Sequence, residues 1–216
     1  MSATAPRYRA LVFDLDGTAV DTTENIPAIG QAYEIYCGRR LSWEDMVTCF
    51  GLPVTGIFEF LNIPPEDQQT FTDIFLPLYL QSQENDHLYP GFLPMLEALS
   101  QRQVLLGVNT SRTAQEVEDL RAKIPEPFLD YCGQIVTCDR VPNPKPAPDS
   151  LLYFCRQTGL QPSQVLYVGD TIFDSQCAQQ AGVDFALAMW GTLHPEIPAQ
   201  YRPQTPEELA SVILGE

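Results

Sequence analysis

The segment Asp14-Leu15-Asp16-Gly17-Thr18 constrains this chain more than any other. It follows the apolar residues 8–13, which are typical of a short buried strand. Two carboxylates spaced two residues apart at a strand end repel each other unless a cation lies between them or one is protonated. Gly17 then permits a sharp turn. The motif indicates either metal-assisted phosphoryl transfer, with one aspartate as nucleophile and one as proton carrier, or a solvated Asp-Gly turn.

Beyond residue 88, short apolar segments alternate with amphipathic ones. The predicted strands cover residues 104–108, 134–137, 165–168 and 185–188, and the predicted helices cover residues 92–99, 113–123, 149–158, 175–181 and 205–214. Alternating strands and helices form a parallel sheet with helices on both faces. The predicted fold class is therefore α/β, with a Rossmann-like parallel sheet.

A different pattern fills residues 25–87, where apolar side chains recur at helical spacing and no strand is evident. Ser42 followed by Asp45 resembles a capping box at a helix start. Pro77 interrupts a later helical pattern and predicts a kink or an end there. The segment is predicted to be a small helical domain inserted after the first strand.

Polar side chains stand at the ends of three predicted strands, namely Asp14 and Asp16, then Thr110 and Ser111, then Asp170. Ligands of such sheets bind beyond the carboxyl ends of the strands, so these side chains are expected at one edge. Asp14 and Asp170 can together hold Mg²⁺, which prefers oxygen ligands. Asp174, one helical turn further on, can complete the metal shell or orient a ligand water. The alternative is that Asp170 caps a helix and Asp174 pairs locally.

Two further features suit phosphate binding. Thr110 and Ser111 offer hydroxyl and backbone N–H groups where a strand meets a helix, although the same residue types also serve as ordinary helix caps. Lys145 is one of two lysines and lies in the proline-rich residues 141–148. Prolines stiffen a loop, so this one would hold a cation in place. The alternative is an exposed lysine in a stiff loop.

The formal net charge of −16 sets limits on partners. Such a field repels nucleic acid and anionic membranes, so neither is expected as a partner. No apolar run approaches the length of a membrane span, and the N-terminus lacks an apolar signal core. The six cysteines form no Cys-x-x-Cys pair. We expect a cytoplasmic protein with reduced thiols, monomeric or weakly dimeric.

Four motifs, taken together, resemble the haloacid dehalogenase-like superfamily of phosphohydrolases. They follow that family's order and are residues 14–18, Thr110, residues 145–148 and residues 169–174. The stretches 88–91 and 178–182 match as well, so the resemblance covers about residues 8–192. It is strongest to the branch with phosphoglycolate phosphatases and related pyrophosphatases. That branch implies an inserted all-helical cap domain, here residues 19–87, and a catalytic core of residues 1–18 and 88–216.

The resemblance also implies a role for each motif residue. Asp14 would be the nucleophile that forms an aspartyl-phosphate, and Asp16 the general acid and then the base for the attacking water. Thr110 and Lys145 would hold the phosphoryl group. The ligands of Mg²⁺ would be Asp14, the main-chain carbonyl of Asp16, and Asp170, with Asp174 assisting.

Substrate choice is expected to reside in the cap domain, because the core motifs contact only the transferred phosphoryl group. Arg39 and Arg40 are the only basic side chains in residues 19–86. They lie between the first two predicted cap helices, where related caps carry a specificity loop. One of them would grip a carboxylate or a second phosphate of the substrate. Alternatively, both only balance the acidic surface.

The sequence therefore predicts a magnesium-dependent phosphatase that hydrolyses small phosphorylated metabolites of the phosphoglycolate type. An inorganic pyrophosphatase and a phosphomutase of the same fold are the alternatives among enzymes. The mutases carry a lysine and a histidine in the cap, and residues 19–86 contain neither. The presence of all four motifs argues against a non-catalytic binding protein.

Overall fold

A computed structural model describes residues 6–50, 52, 54–124 and 127–215. Residues 1–5 and 216, which the predicted core domain includes, lie outside the described residues. The chain divides into two compact units. One takes in the chain up to Asp21 and from His87 onward, and the other is Thr22–Asp86.

The first unit is built on a five-stranded sheet. Its strands are β1 (Ala10–Phe13), β4 (Leu105–Asn109), β5 (Cys132–Val136), β6 (Val165–Gly169) and β7 (Asp184–Leu187). All neighbouring strands are parallel, in the order β5-β4-β1-β6-β7. The central strand, β1, pairs Phe13 with Val108 on one side and with Val168 on the other.

Helices cover both faces of this sheet. They are α5 (Phe92–Gln101), α6 (Ala114–Lys123), α7 (Asp149–Thr158), α8 (Ile172–Ala181) and α9 (Pro206–Leu214). Successive side chains of a strand point to opposite faces. Leu11 and Phe13 accordingly pack with residues of α5, α6 and α9, whereas Ala10 and Val12 pack with residues of α7 and α8. The predicted α/β class is confirmed. Each fully buried Leu or Phe side chain stabilises the folded state by about 1.5–3 kcal/mol.

The strand order sets where a ligand can bind. The chain moves from β1 to β4 and β5 on one side, then crosses to β6 and β7 on the other. The crevice at such a reversal, beyond the carboxyl ends of the two diverging strands, is the usual ligand site of an open parallel sheet. Asp14 follows β1 and Asp170 follows β6, so both residues lie at this crevice.

Two short strands join the first unit to the inserted segment. β2 (Val20–Asp21) pairs antiparallel with β3 (His87–Leu88), with Val20 opposite Leu88. The sequence predicted no strand at His87, because a two-residue strand shows no periodicity. A second difference concerns α8, which begins at Ile172 rather than at Ser175. Its N-cap is Thr171, which the sequence pattern did not identify as a cap.

The second unit is helical in its described residues. It contains α1 (Ile26–Cys37), α2 (Trp43–Phe50), α3 (Val54–Phe60) and α4 (Gln68–Ser82). Their apolar faces surround Phe71, whose ring makes an edge-to-face contact with Tyr36 and stacks on Phe75. The Ser42–Asp45 capping box is present, with Asp45 N–H donating to Ser42 Oγ at 3.0 Å. Helix α4 continues through Pro77.

None of the helices in the described part of the chain combines the length and the apolar character that a bilayer crossing requires.

Candidate active site

Lys145 lies between two carboxylates at the carboxyl edge of the sheet. Its Nζ is 2.9 Å from Asp14 Oδ2 and 2.8 Å from Asp174 Oδ1. The lysine side chain is 4% exposed, and those of Asp14 and Asp174 are 8% and 0% exposed. The loop that carries Lys145 is tied to α8 by Gln180, whose Nε2 donates to the carbonyl of Pro146 at 2.9 Å. The proline-rich loop thus holds a buried ammonium group beside Asp14, at the end of β1.

Three carboxylates share this edge. Oxygens of Asp14, Asp170 and Asp174 lie within 4.8 Å of one another. Burial raises the pKa of Asp14 to about 7, with Asp174 and Asp16 adding to the rise and Lys145 opposing it. The pKa of Asp170 is also raised well above its ordinary value, by burial and then by the charges of Asp174 and Asp14. This excess of negative charge suits a divalent cation with oxygen ligands.

Gly17 and Thr18 bring the first motif against Asp170. The Thr18 hydroxyl donates to Asp170 Oδ1 at 2.8 Å. Gly17 has a φ of +72°, and a Cβ atom there would lie 2.2 Å from Asp170 Oδ2. Only glycine both adopts this backbone conformation without strain and leaves room for the carboxylate. The Asp-Gly turn therefore belongs to a packed site and is not a solvated surface turn.

Asp174 is held by several donors at the start of α8. Thr171 donates to Oδ2 through its N–H at 3.0 Å and its hydroxyl at 2.5 Å. The Tyr167 hydroxyl donates to Oδ1 at 2.6 Å, beside the contact from Lys145. Burial alone would raise the pKa of Asp174, but Lys145 and these hydrogen bonds outweigh it and hold the pKa below its ordinary value. Asp174 in turn holds the ammonium group of Lys145, at 2.8 Å.

Asp16 has a different partner from Asp14. Arg112 donates from Nε to Asp16 Oδ2 at 2.8 Å and from Nη2 to Oδ1 at 2.6 Å. Burial acts to raise the pKa of Asp16, but the guanidinium outweighs it, so the pKa lies below the ordinary value. The two aspartates of the first motif therefore differ in environment, since the pKa of one is raised and that of the other is lowered. A divalent cation among the three carboxylates would favour the ionised form of Asp14, which is the form that a nucleophile requires.

The loop after β4 places Thr110 and Ser111 in different environments. Thr110 is buried, and its Oγ1 accepts from the N–H of Arg112 at 3.1 Å. Ser111 is exposed in the same loop. Asp14, Asp16 and Thr110 follow the adjacent strands β1 and β4, as the sequence predicted, whereas the role of each in phosphate binding stays a prediction.

Arg39 and Arg40 belong to the helical unit, between α1 and α2. Arg40 Nε donates to Glu34 Oε1 at 2.9 Å, and its side chain is 85% exposed. Arg39 is exposed and lies near the Tyr33 hydroxyl. An exposed ion pair of this kind contributes little to stability. The contact to Glu34 favours the surface-charge interpretation for Arg40.

Sequence reasoning missed two residues of this site. Arg112 directly follows Thr110 and Ser111. A basic residue at a strand end, in a chain with a net charge of −16, could have been predicted to belong to the site. Tyr167 lies inside β6 and its ring is fully buried, but its hydroxyl reaches Asp174 and lies 3.4 Å from Lys145 Nζ. Its position in an apolar strand gave no sign of this, apart from the general need of a buried tyrosine hydroxyl for a partner.

Comparison with known proteins agrees with this geometry. Residues 11–188 match the family described as haloacid dehalogenase-like hydrolase. The N-acetylmuramic acid 6-phosphate phosphatase of Pseudomonas aeruginosa is 28% identical over a 198-residue alignment, and the match covers 88% of this chain and 85% of that protein. The pyrophosphatase PpaX of Bacillus velezensis is 28% identical over 98% of this chain and 97% of its own length.

A solved structure from Lactobacillus plantarum, provisionally assigned as a phosphoglycolate phosphatase, superposes with a TM-score of 0.82. It is 27% identical, and the match covers 95% of this chain and 99% of that one. The family match spans more than half of the chain and includes the strand that precedes Asp14 and the helix that contains Asp174. The chain therefore belongs to the haloacid dehalogenase-like hydrolase family.

Proposed function

We propose that this protein is a magnesium-dependent phosphatase that hydrolyses small phosphate monoesters through an aspartyl-phosphate on Asp14. The observation that carries the proposal is the position of Asp14, buried at the switch point of the sheet with a cation on one side and a second aspartate two residues on. A buried carboxylate beside a positive charge can attack the phosphorus of a bound ester, because Lys145 draws the anionic phosphoryl group to it.

The residues at this edge fit a magnesium ion. Asp14 and Asp170 would hold it through side-chain oxygens, together with the main-chain carbonyl of Asp16. Asp174 would assist mainly by ordering its neighbours, because both of its oxygens already accept hydrogen bonds. Bound magnesium would supply charge neutralisation for the phosphoryl oxygens and the carboxylates.

In the first half of the reaction, an oxygen of Asp14 attacks phosphorus and the bond to the leaving oxygen breaks. Leu15 N–H donates to Asp14 Oδ1 at 2.8 Å, and Lys145 pairs with Oδ2, so the attacking carboxylate is oriented from two sides. Asp16, in its protonated form, gives a proton to the departing alkoxide, although the Arg112 ion pair favours the carboxylate. General acid catalysis of this kind contributes about 10²- to 10⁴-fold.

In the second half, a water attacks the phosphorus of the aspartyl-phosphate and Asp14 is released as a carboxylate. Asp16, now ionised, takes the proton of that water. The Arg112 ion pair favours the ionised form of Asp16, which is the form this step requires. Inorganic phosphate then leaves, and the proton on Asp16 serves the next turnover.

The substrates named for the relatives suggest a class. N-acetylmuramic acid 6-phosphate and phosphoglycolate each combine a phosphate ester with a carboxylate, and pyrophosphate carries a second phosphate. We infer a small phosphorylated metabolite with a second anionic group. The helical unit, acting as a cap, would recognise the part of the substrate beyond the phosphoryl group.

The test is a panel of phosphate compounds assayed with Mg²⁺ and with a chelator, with phosphate release as the readout. The panel contains phosphoglycolate, N-acetylmuramic acid 6-phosphate, pyrophosphate, a neutral sugar phosphate and an aryl phosphate. The proposal expects Mg²⁺-dependent release that is fastest with one of the carboxylate-bearing esters. A preference for pyrophosphate would favour the pyrophosphatase alternative. No release from any compound in Mg²⁺ would refute the phosphatase assignment.

A further inference from the structure

The contact between Arg112 and Asp16 is a two-pronged ion pair. The Nε and Nη2 donors meet the two carboxylate oxygens at 2.8 and 2.6 Å. The arginine side chain is 10% exposed, whereas that of Asp16 is 28% exposed. Arg112 is therefore the more buried partner of the pair, and part of the Asp16 side chain remains exposed to solvent.

The backbone of Arg112 is fixed as firmly as its side chain. Its N–H donates to Thr110 Oγ1 at 3.1 Å, and its carbonyl accepts from the N–H of Cys138 at 3.0 Å. The guanidinium thus starts from a backbone that is anchored on both sides. A side chain held in this way imposes its orientation on its partner.

Two parallel N–H···O bonds fix both the distance and the plane of a carboxylate, which a single contact does not. A proton donor has to lie within hydrogen-bond reach of the leaving oxygen, and a displacement of about 1 Å can cost about 10²-fold in rate. Asp16 follows β1 in a turn that contains Gly17, and its side chain is 28% exposed. The two contacts from Arg112 restrict the orientation of this carboxylate.

We propose that Arg112 is a positioning residue for this reaction, holding the carboxyl group of Asp16 in the orientation from which it exchanges protons with the leaving group and with the attacking water. The inference rests on the proposed function. It makes Arg112 act through Asp16 and not through the substrate. A direct substrate-binding role for Arg112 is the competing interpretation, and the two differ in what a variant changes.

The experiment is a double-mutant cycle on Arg112→Met and Asp16→Asn, with kcat and KM measured in saturating Mg²⁺. If Arg112 acts through Asp16, Arg112→Met lowers kcat for an alkyl phosphate by about 10- to 100-fold and leaves KM nearly unchanged. The loss is smaller for an aryl phosphate, whose leaving group needs no proton. In the Asp16→Asn background, the same substitution changes kcat by less than about twofold, because coupled residues are non-additive.

Two further variants secure the result. Arg112→Lys keeps the charge without the fork and is expected to recover only part of the loss. It also replaces Arg112→Met in the cycle should that protein fail to fold, as judged by circular dichroism. Arg121→Met is the matched control, because Arg121 makes ion pairs with Glu118 and Asp130 but is 38% exposed. It is expected to behave like the parent protein.

The inference is overturned if Arg112→Met lowers kcat by the same factor in the parent and in Asp16→Asn. It is also overturned if Arg112→Met raises KM and leaves kcat unchanged. Parent-like activity of both Arg112 variants would overturn it as well. These outcomes leave the proposed function intact, provided that Asp16→Asn is impaired. Full activity of Asp16→Asn on alkyl phosphates would instead overturn the proposed mechanism, and the inference with it.

Discussion

The ammonium group of Lys145 lies 2.9 Å from the carboxylate of Asp14, the proposed nucleophile. The same ammonium is 2.8 Å from Asp174. Burial acts to lower the pKa of Lys145, but these two carboxylates outweigh it and raise the pKa above its ordinary value. The lysine therefore keeps its charge in a site from which water is largely excluded, where a charge has a strong effect on a bound phosphate.

Replacing Lys145 by Met is expected to lower both activity and stability. The substitution leaves Asp14 and Asp174 buried without their shared cation, and breaking a buried ion pair costs about 3–5 kcal/mol. Thermal unfolding at pH 8 would show the loss of stability, and kcat on an aryl phosphate the loss of activity. Lys123→Met is the matched control, since Lys123 is the other lysine of the chain and is exposed. Equal behaviour of the two variants would contradict the role given to Lys145.

Asp14→Asn is expected to abolish turnover while the protein stays folded, because an amide does not attack phosphorus. Asp16→Asn should instead slow turnover in proportion to the basicity of the leaving group. A series of aryl and alkyl phosphates measures this dependence. Normal turnover in Asp14→Asn, or equal losses across the series in Asp16→Asn, would rule out the assigned roles.

Without divalent metal, the stability of the protein should fall as pH rises from about 4 to about 7. The pKa of Asp14 is raised to about 7 and that of Asp170 is also raised. In this range the folded state retains protons that the unfolded chain, with carboxyl pKa values near 4, has released. The folded state thus binds more protons than the unfolded state, so the free energy of unfolding decreases with pH.

Urea unfolding at pH 5, 6, 7 and 8 in a chelator measures this slope. Saturating Mg²⁺ should restore stability at pH 7 and 8, because the ion takes the place of the lost protons. Asp170→Asn removes one of the clustered acids, so in the chelator it should be more stable than the parent at pH 8 and should no longer respond to Mg²⁺. A metal-free protein whose stability is independent of pH in this range would contradict the prediction.

Gly191 touches the first motif through its backbone. A Cβ atom at this position would lie 1.7 Å from the carbonyl oxygen of Gly17. The neighbouring Trp190 donates from its indole nitrogen to the Thr18 carbonyl at 2.9 Å. Gly191→Ala is therefore expected to destabilise the protein by at least about 1–3 kcal/mol and to lower kcat, since the turn that follows Asp16 must shift.

Thermal unfolding and phosphate release would measure both effects. Gly133→Ala is the control, because Gly133 is exposed and the first contact of a Cβ there would be a leucine methyl group at 3.1 Å. Unchanged stability of Gly191→Ala would show that this backbone contact is not as tight as the structure has it.

Arg39→Ala and Arg40→Ala separate a specificity role from a surface role. If Arg39 contacts the second anionic group of a substrate, its removal raises KM for a carboxylate-bearing ester and leaves KM for an aryl phosphate unchanged. Arg40→Ala is expected to have little effect, because Arg40 already pairs with Glu34 in solvent. Identical KM values for the parent and both variants on every ester would place specificity elsewhere in the helical unit.

The core of the fold could be predicted because its strands are continuous apolar runs that end in polar residues. Residues 165–168 show this, since the observed strand is Val165–Gly169 and Asp170 follows it. Parallel strands bring their carboxyl ends to one edge, so the proximity of Asp14 and Asp170 followed from the pattern. The start of α8 did not follow from the pattern, because the predicted helix began at Ser175, whereas Thr171 forms a capping box with Asp174 and starts the helix at Ile172.

The side-chain pairs within the site were harder to predict from the sequence than the strands were. Arg112 and Asp16 are 96 residues apart in the chain, and no local pattern records which of several aspartates an arginine meets. Tyr167 looks like any other apolar strand residue until the position of Asp174 is known. Long-range side-chain pairing depends on the packed geometry of several elements, whereas periodicity reports only on one element at a time.

The pairing of Val20 with Leu88 has a consequence for how such a protein can change its substrate. Paired antiparallel residues have Cα atoms about 4.5–5.5 Å apart, so the chain leaves and re-enters the sheet-bearing unit at nearly one point. A segment with adjacent ends can be exchanged as one cassette without altering the path of the remaining chain. In a chimaera, residues 22–86 of this chain would be replaced by the corresponding segment of a relative. We expect it to keep the catalytic edge and to acquire that relative's preference among phosphate esters.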